Sequence, residues 1–152
     1  MARTLTTAMS NAVDDEVVRP FYLIHMNLDS GDGGALYFWS GVGNYSYDSK
    51  SYIGAGNLLN ISTIQETAAV QANGLRVGLS GVNSTLITAA RDADYQGRVL
   101  TLKLGLMDAT NTVISDPVIL FEGFMDVMSI TDKGEKCDIS VSVEHRLIEF
   151  DR

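Results

Sequence analysis

The run from Val118 to Arg152 sets the tightest limit on what this chain can fold into. Two long stretches of strand-forming residues flank the turn Asp132-Lys133-Gly134-Glu135-Lys136. In the second stretch Cys137, Ile139, Val141, Val143, His145 and Leu147 alternate with Asp138, Ser140, Ser142, Glu144 and Arg146. A period of two puts one set on each face of a half-buried strand, because successive side chains point to opposite sides of the pleat. The first stretch differs: Ile119, Phe121, Met125 and Val127 alternate with Leu120, Phe124, Met128 and Ile130, so both faces are apolar. A small antiparallel domain can leave one face of a strand in water. A strand apolar on both sides therefore calls for a second cover, and a neighbouring subunit is expected to supply it. The candidate subunit interface is Ile119, Phe121, Phe124, Met125, Val127, Met128 and Ile130.

The remaining sequence adds short strands and little helix. Leu5, Ala8, Met9, Ala12 and Val13 follow helical spacing behind threonines that can cap, which predicts a short N-terminal helix over Thr4–Val13. Strands are expected over Phe21–Leu28, Ala35–Trp39, Asn44–Tyr47, Tyr52-Ile53, Ile61–Val70, Leu75–Ser80 and Val99–Met107, with turns at Asp29–Gly34, Asp48–Ser51 and Asp108–Asn111. One further helix fits Asn83–Arg91, where Leu86, Ile87 and Ala90 share a face and Asn83 can cap. This is a mainly β pattern, a barrel or sandwich with a flanking helix and a short N-terminal one. No linker or repeat divides it, so 1–152 is expected to be one domain: a helical segment 1–18 and a barrel 19–152.

A domain of 152 residues buries roughly 68–70% of its unfolded surface and needs no staple. The single Cys137 falls on the apolar face of its strand and reads as a buried structural thiol. No apolar run reaches the ~18 residues of a membrane helix, and the N-terminus lacks a signal-peptide core. Synthesis in a cytoplasm without membrane insertion is expected. Nineteen acidic against eleven basic residues give a net charge of −8, which argues against tight nucleic-acid binding, since Lys and Arg contacts to phosphate carry most of that affinity.

Chemistry-bearing motifs are scarce. His25 and His145 lie on strands with no partner at metal-ligand spacing and read as packing or interface residues. Asp29-Ser30-Gly31-Asp32-Gly33 lacks the third acidic position and the distal Glu of a calcium loop and reads as a hairpin turn. Gly41-Val42-Gly43 leads into strand residues, unlike a phosphate cradle. Glu122 and Asp126 are too far apart along a strand for paired acid–base work. Neither a catalytic residue nor a metal or cofactor site is expected, and an enzyme is not.

The succession Trp39-Ser40-Gly41, Tyr52-x-Gly54, Gly74-Leu75-Arg76-Val77-Gly78-Leu79-Ser80-Gly81-Val82, Asp94-Tyr95-Gln96-Gly97-Arg98 and Phe121-Glu122-Gly123-Phe124-Met125-Asp126 resembles the N-terminal domain of tail hub and baseplate proteins of long-tailed phages and gene transfer agents. The resemblance spans roughly Phe21 to Phe150 and rests on pattern and order, not on a catalytic signature. It implies a tail-tube-like β-barrel that joins a ring at the far end of the tail tube. The family's strand matching Val141–Phe150 often continues into further sequence, so a hub and a shorter distal tail ring protein both fit.

Geometry bears on the ring. A domain of this length has a radius of gyration of about 15 Å and a diameter near 38 Å, so six in a touching ring leave a hole of roughly 38 Å and three leave about 6 Å. One barrel per chain favours a hexamer; a trimer passes DNA if each subunit brings two barrels or another protein fills the gaps. The expected function is a virion structural protein of the tail tip, a ring component of the distal tail or baseplate hub assembled in the host cytoplasm. Its expected partners are copies of itself, the tail tube protein, other baseplate proteins and the tape measure protein. A carbohydrate- or receptor-binding module at the tail tip is the alternative, with Trp39, Tyr45, Tyr47 and Tyr52 as an aromatic platform.

Overall fold

The computed structural model describes residues 5–28, 34–54, 57–62, 74–83, 94–114, 116–134 and 136–145. The chain is mainly β. Helix α1 (Thr7–Val13) precedes strands β1 (Arg19–Asn27), β2 (Ala35–Trp39), β3 (Asn44–Tyr47), β4 (Lys50–Gly54), β5 (Asn57–Ile61), β6 (Leu75–Asn83), β7 (Val99–Met107), β8 (Val118–Asp132) and β9 (Lys136–His145). One sheet holds all nine strands, in the order β3-β4-β2-β1-β7-β8-β9-β6-β5. Asn83, expected to cap a helix, instead ends β6 opposite Lys136 of β9; the rest of that expected helix (84–91), the turn at 29–33 and most of the extended run to Val70 lie outside the described residues.

Helix α1 forms where the spacing predicts it. The Thr6 hydroxyl accepts from the Met9 amide at 3.4 Å, satisfying one of the donors a helix start leaves without a partner. Its buried residues, Met9 and Ala12, pack with Leu106 of β7 beside Ile114 and Val118. The helix lies on its own sheet.

The main core takes Ile24 and Met26 of β1, Phe38 of β2, Leu75, Val77 and Leu79 of β6, Leu100 and Leu102 of β7, Phe121 and Met125 of β8, and Cys137, Ile139, Val141 and Val143 of β9. β2 and β6 stand five places apart in the strand order, yet both send buried side chains into this cluster. A flat sheet would leave that face open, so the sheet curls around its own interior. Each large side chain it removes from water is worth roughly 1.5–3 kcal/mol.

β1 keeps a period of two, but both of its faces are covered. Its even residues Ile24 and Met26 enter the main core, while Phe21 and Leu23 enter a second cluster with Trp39 and Tyr52. The β3–β4 hairpin carries this second layer. Its two-residue turn, Asp48-Ser49, holds φ of 51° and 58°, the positive pair that lets a tight hairpin match the twist of its strands.

β8 departs from alternation at two places. Against β7, Leu102 faces Phe121 while the next residue, Lys103, faces Ile119, so Leu120 is extra. Against β9, Val143 faces Met125 and Val141 faces Met128, so one residue between them is extra. Each bulge shifts the phase of the alternation by one. Gly123 permits the intervening approach to β9: a Cβ there would come within 2.1 Å of the Glu144 carbonyl oxygen.

Candidate interface on β8 and the aromatic outer layer

The two bulges sort the seven interface candidates. Phe121 and Met125 are buried in the chain's own core, and Met128 and Ile130 pack against it, half-buried. Phe124, between Val99 and the exposed Glu144 in the ladder, is half-buried on the other face. Ile119 and Val127 stand 49% and 51% exposed. The doubly apolar pattern thus arises largely because one face changes phase twice: residues read as alternating sides end on the same side. What β8 leaves open to a partner reduces to Ile119, Val127 and part of Phe124. β1 is buried on both faces by its own chain, at a position where the sequence predicts a strand without assigning its faces.

A turn clamps the second bulge. The Gly97 amide donates to the Met125 carbonyl and the Met125 amide donates to the Arg98 carbonyl, both at 2.8 Å. The Tyr95 hydroxyl accepts from the Met128 amide at 3.4 Å, on the far side of the irregularity. Gly97 holds φ +72°, which turns the chain into this position. Asp94–Arg98 and Phe121–Asp126, two separate motifs in the sequence, therefore form one structural unit. No sequence signal short of a recognised pairing could have joined them, because they meet only through the β7–β8 ladder.

The four aromatic candidates do come together, as a packed layer. Tyr45 lies 5.4 Å from Trp39 and 6.5 Å from both Tyr47 and Tyr52 between ring centroids, while Phe21 meets Trp39 and Tyr45 edge-on. The Trp39 indole donates to the Gly43 carbonyl at 2.8 Å. Trp39 and Tyr52 are 9% and 2% exposed, so only Tyr45 and Tyr47 offer ring surface to a ligand. Burial, together with the neighbouring tyrosines and Asp48, pushes the Tyr52 hydroxyl up to about 12, so it stays protonated at any physiological pH.

The rim of this layer holds residues that sequence reasoning did not assemble. His25 stacks on Tyr37 with centroids 4.7 Å apart. Lys50 lies over the Tyr37 ring at 5.8 Å and Lys103 over the Tyr47 ring at 5.4 Å, contacts worth about 0.5–1 kcal/mol each at exposed sites. Partial burial and then the two ammonium groups lower the His25 pKa, with Glu122 opposing them. Lys50 also pairs with Asp48 at 3.6 Å. Glu122 accepts from the buried Thr101 hydroxyl at 3.3 Å. The lysines are far apart in sequence, which hides the cluster.

The other candidates are packing groups. His145 meets the edge of Phe121 at 5.3 Å. Cys137 is 1% exposed; burial, with the Asp132 carboxylate that accepts its S–H, raises its pKa and keeps it a thiol. Among the described residues no three His, Cys, Asp or Glu side chains converge as for a metal, and no helix is long and apolar enough to cross a membrane.

No family model matches the sequence, and no curated protein does. Among solved structures, a chain from "Virion of native gene transfer agent (GTA) particle" superposes with a TM-score of 0.69 at 13% identity, over 97% of this chain and 47% of that one. This chain spans about half the length of that structural neighbour. At such identity the likeness is one of fold: nearly the whole chain shares its β architecture with a chain of a gene transfer agent virion.

Proposed function

We propose that this chain is a virion structural protein, a ring component of the distal tail or baseplate hub that links the tail tube to the tip. The observation that carries the reading is the superposition of 97% of the chain on a chain of a gene transfer agent virion. The tail-hub sequence pattern supports it independently, since two of its motifs build the clamp at Met125. In this reading the subunit joins copies of itself, six in a ring of single barrels or three if further domains or another protein fill the gaps. Tail tube, baseplate and tape measure proteins adjoin the ring.

The channel wall is acidic in this proposal. With a net charge of −8, repulsion from passing phosphates keeps DNA sliding where clustered lysines would hold it. A ring reconstruction showing a basic inner wall would refute that assignment. No catalytic step is part of the proposal; clearing of a cell-wall zymogram by the purified chain would contradict it. The glycan-platform alternative is weakened by the burial of Trp39 and Tyr52, and glycan-array binding would revive it.

The deciding experiment is native mass and electron microscopy of the chain, alone and mixed with its tail tube protein. A closed ring capping the tube is expected. A chain that stays monomeric and never enters a particle would overturn the proposal.

A further inference from the structure

We infer that the segment Asp14–Val18 of one copy docks on the Lys103–Ile119 surface of the next, making a head-to-tail contact between subunits. The inference rests on the ring reading above and names the two surfaces that would meet.

The docking surface is the outer face of β7 and β8. Lys103 and Ile119 are direct partners in the β7–β8 ladder, so an ammonium group and a 49% exposed isoleucine stand side by side. Lys103 has no carboxylate partner among the described residues; its contact is the Tyr47 ring. Of the nearby acids, Asp48 pairs with Lys50, Glu122 accepts the Thr101 hydroxyl, and the exposed Asp116, close enough to raise the Tyr47 pKa, forms no ion pair with Lys103 among the described residues. Lys103 is therefore the cation this face leaves open.

The occupant is read from the same chain. Asp14, Asp15 and Glu16 follow α1, are exposed, and form no ion pair among the described residues. Val17 and Val18 follow at 59% and 45% exposure. Three acids running into two open valines complement a cation set beside an open isoleucine, in charge and in apolarity. One copy cannot satisfy itself in this way. Lys103 points to the opposite side of β7 from Leu106, where α1 is anchored. It also lies about 13 Å along the strand from Met107, the partner of Arg19 at the start of β1. Two different surfaces on one subunit give a heterologous contact, which closes into a ring or propagates.

The test is the self-association of the full chain by sedimentation velocity, with fold checked by circular dichroism and thermal midpoint. Lys103→Glu alone should raise the dissociation constant roughly tenfold or more, because it sets like charges against each other. Asp15→Lys with Glu16→Lys alone should do the same, and combining both changes should restore association. Ile119→Asp, at an exposed position that leaves the core intact, should also weaken it, and so should rising salt. Unchanged association in Lys103→Glu or Ile119→Asp overturns the contact. Failure of the combined variant to recover overturns Asp14–Val18 as the occupant. If the wild-type chain is monomeric at every concentration yet enters particles with tube protein, this contact falls while the proposed function stands.

Discussion

Single residues carry two testable consequences of the aromatic layer. Asp48 and Ser49 both hold positive φ in the β3–β4 turn, and the second position of such a turn favours glycine. Ser49→Gly removes the clash of a Cβ with the backbone and should stabilise the chain by about 0.5–1 kcal/mol in urea denaturation, despite the extra freedom glycine has when unfolded. His25 gives a pH dependence whose sign follows from its surroundings. Its pKa is lowered in the folded chain, first by burial and then by Lys50 and Lys103, so folding favours the neutral ring. The contribution is fully present above the unfolded value near 6.5 and is lost as pH falls below it through the lower folded value. Thermal midpoints should therefore decline on acidification below about pH 6.5, and His25→Gln should flatten that part of the profile. A wild-type midpoint indifferent to pH in this window would contradict the stacked, partly buried placement.

At the scale of the element, β8 shows how a bulge redistributes side chains. Val127 and Met128 are neighbours, but the irregularity sends Val127 outward and lets Met128 pack on the core. Val127→Asp should change the stability of the isolated chain by less than about 0.5 kcal/mol. Met128→Asp forces a charge against apolar surface and should cost about 2 kcal/mol or more. Equal effects of the two substitutions in chemical denaturation would mean the phase shift is wrong. The same irregularity decides how much of the sequence reading survives. Alternation located β8 and β9 and the partition of β9 into core and outer faces. It misjudged β8, because a period of two counted through a bulge assigns every later residue to the wrong side.

For the whole molecule, topology sets the folding rate. β1 pairs with β7, roughly eighty residues later, and the sheet's interior draws on strands from both halves of the chain. Such non-local pairing must close long loops before it gains contacts, so refolding is expected on the scale of milliseconds to seconds. Trp39, the single tryptophan, is buried at the junction of the sheet and the aromatic layer, and its fluorescence in stopped-flow mixing reports both. A microsecond phase accounting for the whole signal would contradict this strand order. Assembly belongs to the same scale. Among the described residues, the large apolar side chains left exposed are Leu5, Val13, Val17, Val18, Val42, Ile53, Ile119 and Val127, spread over several elements, so the proposed assembly would join distinct surfaces instead of burying one continuous strand face.

The amino-acid sequence by itself determined that the chain is β-rich, that β9 is half-buried, that a capped helix opens it, and that no chemistry-bearing cluster stands close together in the chain. These are local properties, set by side-chain period, capping and spacing. Only the tertiary structure decided that β1 is covered on both faces, which side chains of β8 remain open, and that Lys50, Lys103 and His25 surround one aromatic layer. The physical reason is that bulges and long-range pairing have almost no local signature. A one-residue insertion reverses a face, and strand neighbours are chosen by how the whole sheet closes over its interior.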